Sequence, residues 1–128
     1  MKVKISIDGN SDSPIFQQII DGLEGLILIG KIQEGEFLPS VREFAVQHSV
    51  NPNTVSKAYQ VLQTMDVVEA VRGTGLKVKR LKASHTDHRR MEILKAKTKE
   101  LMDLAQKLEV TPNELITLIK NFGREVKS

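Results

Sequence analysis

Two helix starts follow one another closely in the middle of this 128-residue chain. Ser40 and Glu43 form an S-x-x-E capping box, in which each side chain satisfies a backbone N–H that a first helical turn leaves unpaired. Val41, Phe44 and Ala45 supply the inner face of this short helix, which is expected to stop near His48-Ser49. Asn51 is then a good N-cap, and Pro52 suits the first helical position, where its missing N–H is not needed. Val55, Ala58, Tyr59 and Leu62 recur at i, i+3, i+4 and i+7, which gives the next helix one apolar face. Asn53, Thr54, Ser56, Lys57 and Gln60 lie on the opposite face.

A longer helix leads into this pair. Ser13 is read as its N-cap and Pro14 as its first residue. Ile15, Ile19, Leu23 and Leu26, with Phe16, Ile20 and Ile27, form a wide apolar stripe. Gly22 and Gly25 interrupt it at about 1 kcal/mol each in helix propensity, and their lack of a side chain lets a neighbour pack closely. Gly30 is the expected C-cap. Ahead of the helix, Lys2 to Asp8 reads as an extended arm or short strand. Behind it, "KIQEGEFLP" reads as a connector with a turn at Glu34-Gly35-Glu36.

After the third helix, "VVEAV" and "LKVKRL" flank the glycine turn "RGTG", the pattern of a β-hairpin. A polar linker is expected from Leu81 to Thr86, and a long amphipathic helix from about Asp87 to Leu108. Met91, Leu94, Thr98, Leu101, Ala105 and Leu108 are spaced 3-4-3-4-3, the rhythm of a helix lying along another helix. Thr111 and Glu114 make a second capping box with Pro112 just inside, and Leu115, Leu118, Ile119, Phe122 and Val126 line the following face. The expected fold is mainly α with a small β-hairpin: a winged helix-turn-helix domain over residues 1–80, then a C-terminal helical hairpin over 81–128.

Composition narrows the possible functions. There is no cysteine, so disulfides and thiolate metal sites are excluded, which suits a reducing cytoplasm. Met1 to Pro14 carries no apolar leader core, and the longest apolar run, Leu26 to Ile29, is far too short for a bilayer. His48, His85 and His88 are too scattered for a metal site. No nucleophile has a histidine at a recognisable spacing, no Walker-type loop is present, and Glu34 and Glu36 read as a solvated pair, so neither an enzyme nor a cofactor is expected. Charge is unevenly spread. Residues 1–36 hold Asp8, Asp12, Asp21, Glu24, Glu34 and Glu36 against Lys2, Lys4 and Lys31, a sum of −3. Residues 37–80 hold Arg42, Lys57, Arg72, Lys77, Lys79 and Arg80 against Glu43, Asp66 and Glu69, a sum of +3. A basic middle of this kind fits a face that meets phosphate.

The third helix has the right chemistry for reading a base edge. A helix N-terminus can enter the major groove, and Asn53, Thr54 and Ser56 are short enough to reach it without clashing. Asparagine pairs bidentately with adenine, and threonine touches a thymine methyl or an acceptor. Lys57 suits a phosphate or a guanine edge. Arg42, at the start of the second helix, adds a charge where free amides already attract phosphate. At the hairpin turn, Gly73 and Gly75 would let the backbone come close to DNA and Arg72 enter a minor groove, although a tight turn needs glycine in any case.

Two motifs at the right separation carry a resemblance. "G-x-x-L-P-S-x-R-x-x-A" (Gly35 to Ala45) and "V-N-P-N-T-V-x-K-A-Y" (Val50 to Tyr59), followed by "VRGTG", resemble the N-terminal winged helix of the GntR family of bacterial transcription regulators over Pro14 to Val78. The second motif and the short tail are similar to the YtrA-type subfamily. The resemblance implies that Ser40, Arg42, Asn51, Asn53, Thr54, Ser56 and Lys57 face DNA, with Arg72, Gly73 and Gly75 on the wing. It also implies a homodimer on a palindromic operator, usually a repressor, joined by two C-terminal helices. The dimerising side chains would be Met91, Leu94, Leu101, Leu108, Leu115, Leu118 and Phe122. The tail is too small to enclose a large effector pocket, and the residues name no effector. Two departures stand out. Asp66 occupies the turn position where the family commonly has glycine, and "LKVK" replaces a "TFV"-like wing strand. The alternative to a DNA-binding regulator is a winged-helix module used for protein interaction. It is kept open by nine bases and nine acids over residues 1–80.

Overall fold

The computed structural model of the protein describes residues 3–126, so Lys2 of the expected arm and the last two residues of the tail lie outside it. Five helices and one hairpin follow in the order α1 (Ile15–Leu28), α2 (Val41–His48), α3 (Pro52–Thr64), β1 (Val68–Val71), β2 (Gly75–Val78), α4 (Ala83–Lys107) and α5 (Pro112–Val126). The chain divides between Thr86 and Asp87 into two compact units.

In the first unit α3 is the central element, packed against α1, α2 and β1. The apolar faces read from the sequence meet there. Phe44, Ile19, Leu23, Leu62 and Val55 are the largest fully buried side chains. β1 and β2 pair antiparallel, with Val68 opposite Val78 and Val71 opposite Gly75. The expected connector adds to this sheet. Leu38 donates to the Leu76 carbonyl at 2.9 Å, Val78 to the Glu36 carbonyl at 2.8 Å, and Gly35 to the Val78 carbonyl at 2.9 Å. Residues 35–38 therefore run along β2 as a third, bridge-like edge, a long-range pairing that no local pattern in "KIQEGEFLP" announces.

Local chemistry decides most boundaries. The Ser40–Glu43 capping box forms, and Asn51 caps α3 by accepting the Asn53 N–H. Ser49 ends α2 with φ 53, and Gly30 follows α1 with φ 78, so both helices close through left-handed residues. Asp66 also takes a left-handed conformation, φ 64. Its short polar side chain tolerates that geometry and its carboxylate accepts a hydrogen bond from Lys79, which holds the Lys79 ammonium above the usual lysine range.

Two boundaries differ from expectation. α1 starts at Ile15, and its N-cap is Pro14 with no side-chain cap, so Ser13 does not cap it. The side chain of Gln18 ties the chain ahead of the helix to its first turn. It donates to the carbonyls of Ser13 at 2.8 Å and Asp8 at 2.9 Å and accepts from the Asp8 N–H at 2.8 Å. α4 starts at Ala83, inside the expected linker, with the His85 and Thr86 amides bonded to the Lys82 carbonyl. "LKASHT" contains neither glycine nor proline, so nothing stops the helix from extending backwards.

The arm is extended and unpaired by any strand, yet it is well held. Val3 is buried in the core, and Ile5 and Ile7 pack against it. The Ile5 N–H donates to His48 Nε2 at 3.2 Å, while His48 Nδ1 lies 3.0 Å from the Phe44 carbonyl and its ring stacks on Phe44. His48 is thus a structural clasp.

In the second unit, α4 ends through Glu109 at φ 58, with Val110 donating to the Ala105 carbonyl at 2.8 Å. The Thr111–Glu114 box then starts α5, with Glu114 N–H to Thr111 Oγ1 at 3.2 Å. Ala105 and Leu115 are the buried side chains here. The rest of the apolar stripe, including Met91, Leu94, Leu101, Leu108, Leu118, Ile119 and Phe122, is exposed.

Candidate nucleic-acid interface

The predicted contact residues gather at the N-terminal ends of α2 and α3 and at the hairpin turn. Ser40 caps α2 and Arg42 lies in its first turn; Asn51 caps α3, and Asn53, Thr54, Ser56 and Lys57 lie in its first two turns. Ser40, Arg42, Asn51, Asn53 and Lys57 are exposed; Thr54 and Ser56 are half-buried. Two of these side chains are already engaged. Ser40 Oγ accepts the Glu43 N–H at 3.1 Å, and Asn51 Oδ1 accepts the Asn53 N–H at 2.8 Å. They shape the helix starts, while Asn53 keeps its own amide group at the surface. The first turns of α2 and α3 present backbone N–H groups and positive dipole ends to solvent, which favours an approaching anion.

The two helix starts are held in register by Tyr59. Its hydroxyl donates to the Pro39 carbonyl at 2.8 Å, and its ring meets Phe44 edge-on. Burial, with a smaller push from the Glu43 charge, raises the Tyr59 phenol well above its ordinary range. The phenol therefore stays protonated and keeps donating. The spacing of Val55, Ala58, Tyr59 and Leu62 puts Tyr59 on the apolar face but carries no sign of this bond, because a ring at a core position does not reveal where its hydroxyl ends.

Arg72 and Gly73 are exposed on the turn between β1 and β2, and Gly75 is exposed as the first residue of β2. Gly73 has φ 78 and Gly75 φ 137, conformations that L side chains rarely adopt, so the turn needs both glycines for its shape. Lys57 does not extend freely into solvent. Its ammonium lies 4.1 Å from the ring centroid of Phe16, the second residue of α1. No group of His, Asp or Glu among the described residues could hold a metal ion, and no helix there is long and apolar enough to cross a membrane.

Three helices centred on α3, a tight turn through the left-handed Ser49 between α2 and α3 and a following hairpin form a winged helix-turn-helix, the architecture of DNA-binding transcription regulators. The chain belongs to the GntR family: the family model described as "Bacterial regulatory proteins, gntR family" matches residues 15–78. The chain is 37% identical over 123 residues to the HTH-type transcriptional repressor YtrA of Bacillus subtilis strain 168, across 96% of this chain and 95% of that protein. Among solved structures, a GntR family transcriptional regulator from Listeria monocytogenes is similar with TM-score 0.74 and 28% identity, covering 88% of this chain and 97% of that one. YtrA from Sulfolobus acidocaldarius, a GntR-family transcription factor, is similar with TM-score 0.57 and 28% identity, covering 97% of this chain and all of that one. The mainly α fold with one hairpin and the family resemblance both hold, and the matched family and relatives are regulators rather than enzymes.

Proposed function

We propose that the protein is a dimeric repressor that binds a palindromic operator in the cytoplasm. In this reading residues 1–80 bind DNA and residues 81–128 join the two copies. The observation that carries it is the division of the surface. Exposed polar and basic side chains cluster on the first turns of α2 and α3, and a long apolar stripe on α4 and α5 is left uncovered. Phe122 is 59% exposed and Leu94 is 58% exposed. A chain with that much uncovered apolar surface gains by burying it against a second copy, and a symmetric pair presents two recognition helices to two half-sites.

Asn53, Thr54 and Ser56 are assigned to base edges, and Arg42 and Lys57 to phosphates. Arg72, Gly73 and Gly75 are assigned to the wing contact. Near-full-length similarity to a protein named as a repressor supports the sign of regulation. The test is binding to the DNA upstream of the protein's own gene, by mobility shift at physiological salt, alongside light scattering. Specific binding by a dimer is expected. Equal affinity for any sequence would sink the operator, and a monomer at micromolar concentration would sink the palindrome. No DNA binding together with a stable protein partner would favour the interaction-module alternative.

A further inference from the structure

Lys57 and Phe16 lie far apart in sequence, yet the packing of α1 on α3 puts the Lys57 ammonium 4.1 Å from the Phe16 ring centroid. We propose that Phe16 is a positioning residue for DNA binding: its ring is a shelf that holds Lys57 ready for a phosphate and away from the base edges. This rests on the reading of α3 as the recognition helix.

Three observations support the shelf. First, Phe16 is half-buried and packed against the core, so its ring is a fixed platform rather than a mobile side chain. Second, Lys57 stands four residues after Asn53 on α3, on the same helical face, and a helical side chain leans towards its own N-terminus. Third, no carboxylate pairs with Lys57 among the described residues. A carboxylate would neutralise the charge and compete with phosphate. A ring quadrupole attracts the cation without neutralising it and leaves the N–H groups facing away from the ring free to donate. A lysine stem held in one conformation before binding loses less rotamer freedom when DNA arrives.

The test is a double-mutant cycle with Phe16→Leu and Lys57→Met. Affinity is measured for the operator and for an unrelated duplex over a range of salt, and folding is checked by Tm. Phe16→Leu should weaken both duplexes alike by about two- to fivefold and keep the salt slope. Phe16→Tyr should behave as wild type. Lys57→Met should flatten the slope by about 0.9, and in that background Phe16→Leu should have no further effect on binding.

A Phe16→Leu loss that persists unchanged in the Lys57→Met background, or one confined to the operator, overturns the shelf while leaving the recognition helix intact. Absence of DNA binding by the wild type overturns the regulator reading and the shelf with it. An upfield ring-current shift of the Lys57 side-chain resonances, lost in Phe16→Leu, is expected in the DNA-free protein. A wild-type spectrum without that shift overturns the shelf without reference to DNA.

Discussion

Tyr59 on α3 donates its hydroxyl proton to the carbonyl of Pro39, the residue just before the Ser40 cap of α2, at 2.8 Å. One hydrogen bond thereby sets the second turn of α3 against the approach to α2. Removing the hydroxyl leaves the Pro39 carbonyl without that donor. Tyr59→Phe should lower stability by about 1–2 kcal/mol in urea unfolding with no change in m-value. The same bond predicts a pH effect. The folded phenol holds its proton above the ordinary tyrosine range, while the unfolded phenol releases it near pH 10. Above that pH the unfolded state binds fewer protons than the folded state, so stability falls as pH rises. The chain has one tyrosine and no tryptophan. Ultraviolet titration should therefore show a single phenolate step, delayed beyond pH 10 and coincident with unfolding.

Gly22 and Gly25 lie in the same helix but should respond oppositely to a methyl group. A Cβ at Gly25 meets nothing within 4 Å, so Gly25→Ala should gain about 1 kcal/mol from helix propensity. A Cβ at Gly22 would meet Ile5 at 3.0 Å. The Ile5 backbone is tied by its bond to His48, so its side chain yields to a methyl only by loosening the arm. Gly22→Ala should therefore show no gain, and hydrogen exchange at the Ile5 amide should speed up. Equal stabilisation by both substitutions, measured by Tm, would count against a fixed arm.

Asn53 and Arg42 are expected to separate readout from anchoring. Asn53→Ala should reduce discrimination at one base pair by about 1–3 kcal/mol and leave binding to unrelated DNA unchanged. Arg42→Ala should weaken all duplexes and flatten the salt slope by about 0.9. Competition binding over a set of single-base operator variants at several salt concentrations distinguishes the two.

In the tail, Leu118 is 50% exposed and Leu115 is 6% exposed. If α4 and α5 join two copies as proposed, Leu118→Glu should give a monomer in light scattering while keeping helical circular dichroism, and operator affinity should fall with the lost second half-site. Leu115→Glu should instead lose helical signal, because a carboxylate would be buried within the unit.

Elements governed by short-range chemistry were legible from the residues alone. The Ser40–Glu43 and Thr111–Glu114 boxes and the Asn51-Pro52 start act over a single helical turn, so residue identity and spacing specify them. The family resemblance marked the turn at Asp66, whose backbone tolerance and short carboxylate let it stand in for a glycine at φ 64. The start of α1 escaped because Pro14 takes the N-cap position without any side-chain cap, and the start of α4 escaped because polar residues without glycine or proline permit helix as readily as linker. Capping, period and turn residues thus determined the order of helices and hairpin and the polar face that carries Asn53. The tertiary structure alone decided that His48 clasps Ile5, that Tyr59 holds Pro39, that residues 35–38 pair with β2 and that Lys57 rests over Phe16. Each of those contacts joins residues well beyond one helical turn apart, and such a partner is chosen by the packing of whole elements, not by the chemistry of its neighbours in the chain.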